Sequence, residues 1–178
     1  SEMIGEVKAS IHKETIFDEE KCGDHVKLLL RAVERIHSVT EPDRILPETM
    51  SIVFEVFRPE FAAILVLDPE TRVLVARLVN TANYDREIAI SGPAVLQSIQ
   101  DSMCLLLTHR EPSQGGEADY DRCSSLIRTS LCAPLVSRGS ALGAIWVEGL
   151  RPDVCYNKSD LRLLMAIANH AAPAVSKC

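Results

Sequence analysis

The sequence contains six cysteines, whose thiols are suited to redox sensing or covalent chemistry. None of them forms a Cys-x-x-Cys pair, so a zinc knuckle or a thioredoxin-type site lacks its usual spacing. A reactive thiol needs a basic neighbour or a helix N-terminus that lowers its pKa. Cys123 follows Arg122 and is the best candidate for a redox sensor, with Cys104 and Cys132 as partners around one pocket. The alternative, which we favour, is that Cys104 and Cys132 fill buried strand positions as small apolar side chains.

Histidines and acidic residues give weaker signals for metal binding. The imidazoles of His109 and His170 are suited to a metal ion or haem, but neither has a partner at ligand spacing. We interpret both as solvated or capping residues. Glu117, Asp119 and Asp121 lie close together, yet a calcium loop needs more oxygen ligands and a terminal glutamate. We therefore predict no metal site.

Motifs for catalysis, nucleic-acid binding and membrane insertion are missing from the sequence. It has no Ser-His-Asp order, Walker loop or dinucleotide fingerprint, and no nucleophile beside a base, so we predict that the chain is not an enzyme. The net charge of -6 argues against a nucleic-acid partner. No apolar run is long enough to span a membrane. The N-terminus does not resemble a secretory signal, so we expect a cytoplasmic location.

Two helices are predicted in the first third of the chain. Residues 1–22 are polar and are interpreted as a leader or linker, and the domain is expected over residues 23–178. An apolar stripe at steps of three and four predicts a helix after Asp24. In the second helix, Thr40 and Asp43 are spaced like a capping box. Pro47 is tolerated only in a first turn, which places the start of the regular helix near that residue.

Strands and short elements are predicted in the middle of the chain. Two apolar runs around residues 68–71 indicate a β-hairpin. The string "EIAISGP" indicates a short strand that ends at residues 91–93, and residues 94–101 suit a short helix. A strand follows at "CLLLTH". The polar segment 109–123 is the longest irregular stretch, and we expect it to act as a lid.

The stretch "SLCAPLVSRGSALGAIWVEGL" predicts two strands joined by a tight turn, for which Gly139-Ser140 is suited. Both strands are apolar at nearly every position, so each must be covered on both faces. In the last helix, Asn157 is expected to cap the N-terminus with Asp160 at the third position. Its seam of Leu161, Leu164, Ala168, Ala171 and Val175 fits contact with a second chain, or packing on the sheet. The order of elements indicates an α+β domain with a mostly antiparallel sheet between helical layers.

These elements carry a family resemblance. The motif with Ser130, Pro134, Leu135, Gly143 and Glu148 resembles the "S-x-x-x-P-L", turn and "G-x-x-x-x-E/D" hairpin of the GAF family of small-molecule sensor domains. "YNKSDLRLLMAIANHAAPAV" resembles the closing helix of that family. "RILPETMSIVFEVF" and "ILVLDPETRVLV" resemble its early helix and first hairpin. The similarity extends over residues 25–176.

The resemblance implies a GAF/PAS-like fold, in which a central six-stranded antiparallel sheet has terminal helices on one face. Short helices and loops cover the other face and enclose a ligand pocket, whose cofactor or ligand stays unknown. By the family's layout, the pocket is expected to be lined by Ser91, Val95, Cys104, Tyr120, Cys132 and Trp146. A homodimer is expected through Val26, Leu29, Val33, Ile36, Leu164, Ala168 and Ala171. The resemblance also implies a bacterial signalling protein with an output domain in the same polypeptide, and a forkhead-associated domain upstream.

Several family subsets fit the sequence poorly. The cyclic-nucleotide signature Asn-Lys-x-x-Phe-Asp-Glu is not matched, and "NYDRE" is the nearest string. The Gly-Val-Cys-Gly segment of free methionine sulfoxide reductases and the Cys-His dipeptide of bilin-binding relatives do not occur either. Aromatic residues make up only 4%, which is thin for lining a tetrapyrrole. Two hypotheses remain: a regulatory module whose ligand or redox state shifts its terminal helices, and a ligand-free dimerisation or interaction domain.

Overall fold

A five-stranded antiparallel sheet lies at the centre of the part of the chain that the structure describes. The structure is a computed structural model, and it describes residues 19–82, 90–110, 127–149 and 154–176, with the backbone alone at 19–22, 109–110 and 127–128. The helices are α1 (Glu19–Ser38), α2 (Pro42–Phe57), α3 (Gly92–Asp101) and α4 (Lys158–Val175). The strands are β1 (Phe61–Leu67), β2 (Leu74–Thr81), β3 (Leu105–Arg110), β4 (Ile127–Ser137) and β5 (Ser140–Gly149). Their order across the sheet is β2-β1-β5-β4-β3.

The predicted α+β class is confirmed, but the described sheet has five strands, whereas the family resemblance implied six. The expected strand in "EIAISGP" lies partly at residues 83–89, outside the described residues. Its last residues belong to a helix start, because the Ser91 hydroxyl accepts a hydrogen bond from the Ala94 amide and α3 begins at Gly92. A serine followed by proline in the first turn is a strong helix-start signal, and it prevails here over strand propensity.

The β4–β5 hairpin is the interior pair of the sheet, as the sequence predicted. Residues 129–135 and 143–149 are buried throughout. Helices α1, α2 and α4 cover one face and form the terminal-helix core, which includes Val53, Ile145 and Leu164. Helix α3 covers the opposite face and forms the α3 core, which includes Val95 and Trp146. Each strand is therefore packed on both sides, which explains why its apolar residues do not alternate with polar ones.

The turn of this hairpin is Arg138-Gly139, one residue earlier than the expected Gly-Ser pair. Ser137 pairs with Ser140, and the two loop residues have φ angles of 52° and 79°. Positive φ at both loop positions is typical of the type I′ turn, whose twist matches that of the strands.

The start of α2 differs from its prediction. The helix begins at Pro42 with Glu41 as N-cap and no side-chain cap, so the capping box from Thr40 is wrong. Pro42 lies where a missing N–H costs no helical bond, and Pro47 lies inside the helix, not at its start. Pro47 leaves the carbonyl of Asp43 without its usual amide partner, and the helix continues beyond it to Val53 and Phe57, which are buried in the core.

The capping of α4 is as predicted. The Asn157 side chain accepts from the Asp160 amide at 3.1 Å, and the Asp160 carboxylate accepts from the Asn157 amide at 2.9 Å.

Helix α1 begins at Glu19, so the expected division between leader and domain at residues 22 and 23 falls within it. In the described part of the chain, none of the helices combines the length and the apolar character that crossing a membrane requires.

Candidate functional site

Polar side chains lie in the sheet face beneath α3, in the middle of an apolar surface. In the β4–β5 ladder, Ser130 is directly opposite Glu148, and Cys132 is directly opposite Trp146. Side chains two residues apart on a strand share a face, so all four lie on the α3 side of the sheet. The neighbours of the Ser130–Glu148 pair are apolar, with Leu107 on β3 and Phe61 on β1. We call Ser130, Glu148 and Trp146 the polar row.

The polar row is buried and only partly hydrogen-bonded. Ser130 is 0% exposed and Glu148 is 8% exposed. Among the described residues, the Ser130 hydroxyl is the buried side-chain polar atom that has no hydrogen-bond partner. Buried hydroxyls are paired in most proteins, because an unpaired one costs about 1–3 kcal/mol. The unsatisfied hydroxyl therefore marks a position that the fold alone does not require.

Glu148 has one side-chain partner in the described structure, which is the indole of Trp146. The Trp146 Nε1–H donates to Glu148 Oε2 over 3.3 Å. The described residues thus place one N–H donor on a carboxylate group that has room for several, and Glu148 keeps 8% of its surface exposed. A buried carboxylate is stabilised by a cation or by several donors, and the described residues place no ion pair there. The site is thus able to receive a group that donates hydrogen bonds.

Helix α3 is fixed over this face at both ends. Ser91 caps its N-terminus, and the buried Ser98 hydroxyl donates to the Met103 carbonyl at 2.6 Å beyond its C-terminus. Val95 and Ile99 project from the helix into the α3 core. The first and last turns of α3 are therefore held by hydrogen bonds, and its middle is held by apolar packing.

The structure brings together three of the six predicted ligand-binding residues. Val95, Cys132 and Trp146 meet in the α3 core, each no more than 2% exposed. Ser91 lies at the N-cap of α3. Cys104, just before β3, packs against the terminal-helix core, and its thiol lies near enough to Cys132 to interact with it electrostatically. Tyr120 lies outside the described residues. As ligand contacts, all six stay predictions.

Burial determines the pKa of Cys104 and Cys132, the two thiols of the redox hypothesis that lie within the described residues. It raises the pKa of Cys104 to about 11 and the pKa of Cys132 to about 12, since a thiolate is poorly solvated at these positions. Both thiols are therefore protonated at neutral pH, which disfavours attack on an oxidant. This agrees with the alternative in which they act as small apolar side chains. Cys123, the preferred sensor residue, lies outside the described residues.

The residues expected at a dimer interface divide into two groups. Leu164, Ala168 and Ala171 are 0% exposed and pack within the chain, and Ile36 is also buried. In this conformation their side chains offer no surface to a second chain. Leu29 and Val33 are half-buried, and Val26 is 52% exposed. A dimer stays a prediction, and the predicted interface residues that keep exposed surface lie on α1.

A separate cavity of about 430 Å³ lies on the terminal-helix side of the sheet. The start of α2, the β1–β2 hairpin and the end of α4 form its walls, with Leu46, Leu78 and Leu142 among the lining residues. Asp43 and Arg77 add one charge of each sign. Across the described ranges, no cluster of three or more histidine, cysteine or acidic side chains is arranged to hold a metal ion.

Ser130 and Glu148 were not among the predicted site residues, although both belong to the motif that carries the family resemblance. Each is a polar residue within an otherwise apolar strand. Because these strands are covered on both faces, a polar residue within them has to be buried. This pattern was the signal in the sequence that could have identified Ser130 and Glu148 as candidate site residues. The strand register, which places them opposite each other, was not available from sequence.

Comparisons with known proteins agree on the fold. The GAF domain family model matches residues 39–176. The GAF domain of the Acinetobacter phosphoenolpyruvate-protein phosphotransferase superposes with a TM-score of 0.63 at 15% identity, covering 86% of this chain and 93% of that one. Free methionine-R-sulfoxide reductase from Neisseria meningitidis, in complex with its substrate, gives a TM-score of 0.63 at 15% identity, with coverages of 95% and 96%.

A further similar structure is the GAF domain of the potassium sensor histidine kinase KdpD from Escherichia coli, with a TM-score of 0.53 at 12% identity and coverages of 85% and 93%. No curated protein sequence matches the chain significantly. Identities this low show a shared fold alone, but the family model extends over most of the chain, in the order of elements described above. The chain belongs to the GAF domain family.

Proposed function

We propose that this GAF domain is a regulatory sensor that binds a small molecule on the α3 side of the sheet. The proposal rests on one observation, the polar row, in which the described residues give a buried carboxylate a single side-chain partner and a buried hydroxyl none. Such groups are costly in an apolar core unless something pairs with them. A ligand that pairs with them gains the interaction energy that the free protein lacks.

The chemistry of the row indicates the class of ligand. A carboxylate in an apolar setting favours a cationic or N–H-rich group, such as an ammonium, amidinium or guanidinium. The apolar surroundings of Phe61 and Leu107 favour a compact apolar body beside that group. We therefore propose a small cationic metabolite as the ligand. It would be held through Glu148, with the Ser130 hydroxyl as a second contact.

Strands β4 and β5 connect the proposed ligand site to helix α4, which is expected to act on an output domain. Ser130 and Glu148 face α3, whereas the adjacent Leu131 and Val147 face the other way and pack in the terminal-helix core with α4. A ligand that shifts β4 and β5 therefore acts directly on the surface that supports α4. If two arrangements of α4 differ in ligand affinity, binding changes their populations, and an attached output domain responds.

The test is a thermal-shift screen with pairs of compounds of similar shape, in which one member has one or two cationic groups that the other lacks. Suitable pairs are arginine with citrulline, putrescine with 1,4-butanediol, and tryptamine with indole-3-ethanol. We expect at least one cationic member to raise the Tm by about 5–10 °C near 100-fold saturation, because it binds the folded state alone. Its neutral partner is expected to have a much smaller effect.

Substitutions test whether the compound that raises the Tm binds at the polar row. Glu148→Gln is expected to remove most of the shift, since it replaces the carboxyl group by an amide of nearly the same volume. Glu70→Gln, in the exposed β1–β2 turn, is the matched control and should keep the full shift. Undiminished stabilisation of Glu148→Gln would place the ligand elsewhere. The absence of any hit would favour the ligand-free interaction domain.

A further inference from the structure

Two histidines from opposite ends of the chain meet on the terminal-helix layer. His37 Nε2, in the last turn of α1, lies 3.2 Å from His170 Nδ1 on α4. The ring centroids are 5.2 Å apart, and the ring planes are inclined by 66°. The contact is exposed to solvent, and it lies on the face of the sheet opposite the polar row.

The helix packing fixes this pair. His25, earlier on α1, bonds through Nδ1 to the Ser159 hydroxyl at 2.6 Å near the start of α4. The two contacts join residues that are 134 and 133 positions apart in sequence. Because this separation is nearly constant along the helices, α1 and α4 run parallel to each other between the two contacts. Ala32, Ile36, Leu164 and Ala168 are buried in the core that both helices share. The imidazole pair is thus presented by a packed framework.

We propose that His37 and His170 form a two-histidine binding site for a divalent transition-metal ion, with zinc as the reference case. Neutral imidazole nitrogen is a preferred zinc ligand. Two nitrogens at about 2.0–2.1 Å from a tetrahedral zinc ion lie about 3.3 Å apart, close to the observed separation of the same two atoms. Binding replaces the shared hydrogen bond: the imidazole that donates it loses the proton from its coordinating nitrogen and takes one up from solvent at its other ring nitrogen, so both rings bind as neutral ligands with no net proton released.

Solvent completes the proposed site. The contact is exposed, so water molecules can occupy the remaining coordination positions. With two protein ligands the site is open, and an oxygen donor from a ligand or partner can replace a water. A bound ion ties the end of α1 to α4, which strengthens the contact between the first and last helices. This inference does not depend on the proposed ligand at the polar row.

The sequence analysis found no partner for His170 at ligand spacing, because His37 lies 133 residues away in the chain.

The test is the shift in Tm on titration with zinc chloride, reversed by a chelator. We compare the unaltered chain with His37→Gln, His170→Gln and His25→Gln. The last variant is the matched control, since His25 lies in the same helix interface and contacts Ser159 and Asp160.

The expected result is a rise in Tm of roughly 3–6 °C for the unaltered chain at zinc tenfold above its dissociation constant. His25→Gln should keep this rise, and each of the other two variants should lose it. Other zinc-binding groups of the chain are common to all four proteins and cancel in the comparison. The proposal is overturned if the unaltered chain shows no rise, if His37→Gln or His170→Gln keeps the full rise, or if His25→Gln loses it as well.

Discussion

Replacing Gly143 by alanine is expected to lower the free energy of unfolding by about 3 kcal/mol or more, or to prevent folding. Gly143 lies in β5, and a Cβ atom built there would be 2.1 Å from the Leu65 carbonyl oxygen and 3.0 Å from the Val66 Cα. Both atoms belong to the backbone of β1, which is hydrogen-bonded to β2 on one side and β5 on the other. Neither strand can move without breaking a ladder, so glycine is required by close backbone approach.

The measurement is urea-induced unfolding, read as a change in midpoint at constant slope. Gly92→Ala is the control, because a Cβ at the first residue of α3 meets nothing within 4 Å. We expect that variant to stay within about 0.5 kcal/mol of the unaltered chain. Equal stabilities of the Gly143 and Gly92 variants would show that β1 and β5 are not as close as described.

Replacing Leu164 by alanine is expected to cost about 2–5 kcal/mol, through lost burial and the cavity left behind. Leu164 is 0% exposed and packs in the terminal-helix core, where α4 lies on β4. Because the contact is made within one chain, the loss should be the same at two protein concentrations that differ tenfold. A loss that shrinks at high concentration would instead assign Leu164 to contact between chains.

Met165→Ala is the matched control for Leu164→Ala. Met165 is the next residue on the same helix and is 42% exposed. We expect its truncation to change stability by less than about 0.5 kcal/mol. A large, concentration-dependent loss at Met165 beside a small loss at Leu164 would mean that α4 presents the opposite face to the sheet.

The layers of the fold were predictable because burial leaves a direct trace in sequence. Strands β4 and β5 are apolar at nearly every position, which requires cover on both faces, and the structure provides it. The seam of α4 was predictable as a buried stripe. Its partner was not, because small residues at steps of three and four suit a sheet surface and a second helix equally well.

The polar row could not be predicted, because it depends on one extra residue in the ladder. Next to the turn, Val136 pairs with Ala141, but after the irregularity between Leu135 and Val136 the pairing shifts by one. Without that shift, Ser130 would lie opposite Val147 and not opposite Glu148. A bulge of this kind is a property of the packed strands and leaves no reliable mark in a single sequence.

The most direct test of the sensor account is the stability of Ser130→Ala without any ligand, compared with Ser98→Ala. Both serines are 0% exposed, but among the residues that the structure describes the Ser98 hydroxyl has a partner, the Met103 carbonyl, and the Ser130 hydroxyl has none. We expect Ser98→Ala to lose about 1 kcal/mol of unfolding free energy, and Ser130→Ala to lose nothing or to gain up to about 1 kcal/mol. A loss at Ser130 as large as that at Ser98 would show that the fold itself uses this hydroxyl, which would contradict a polar row kept for a ligand.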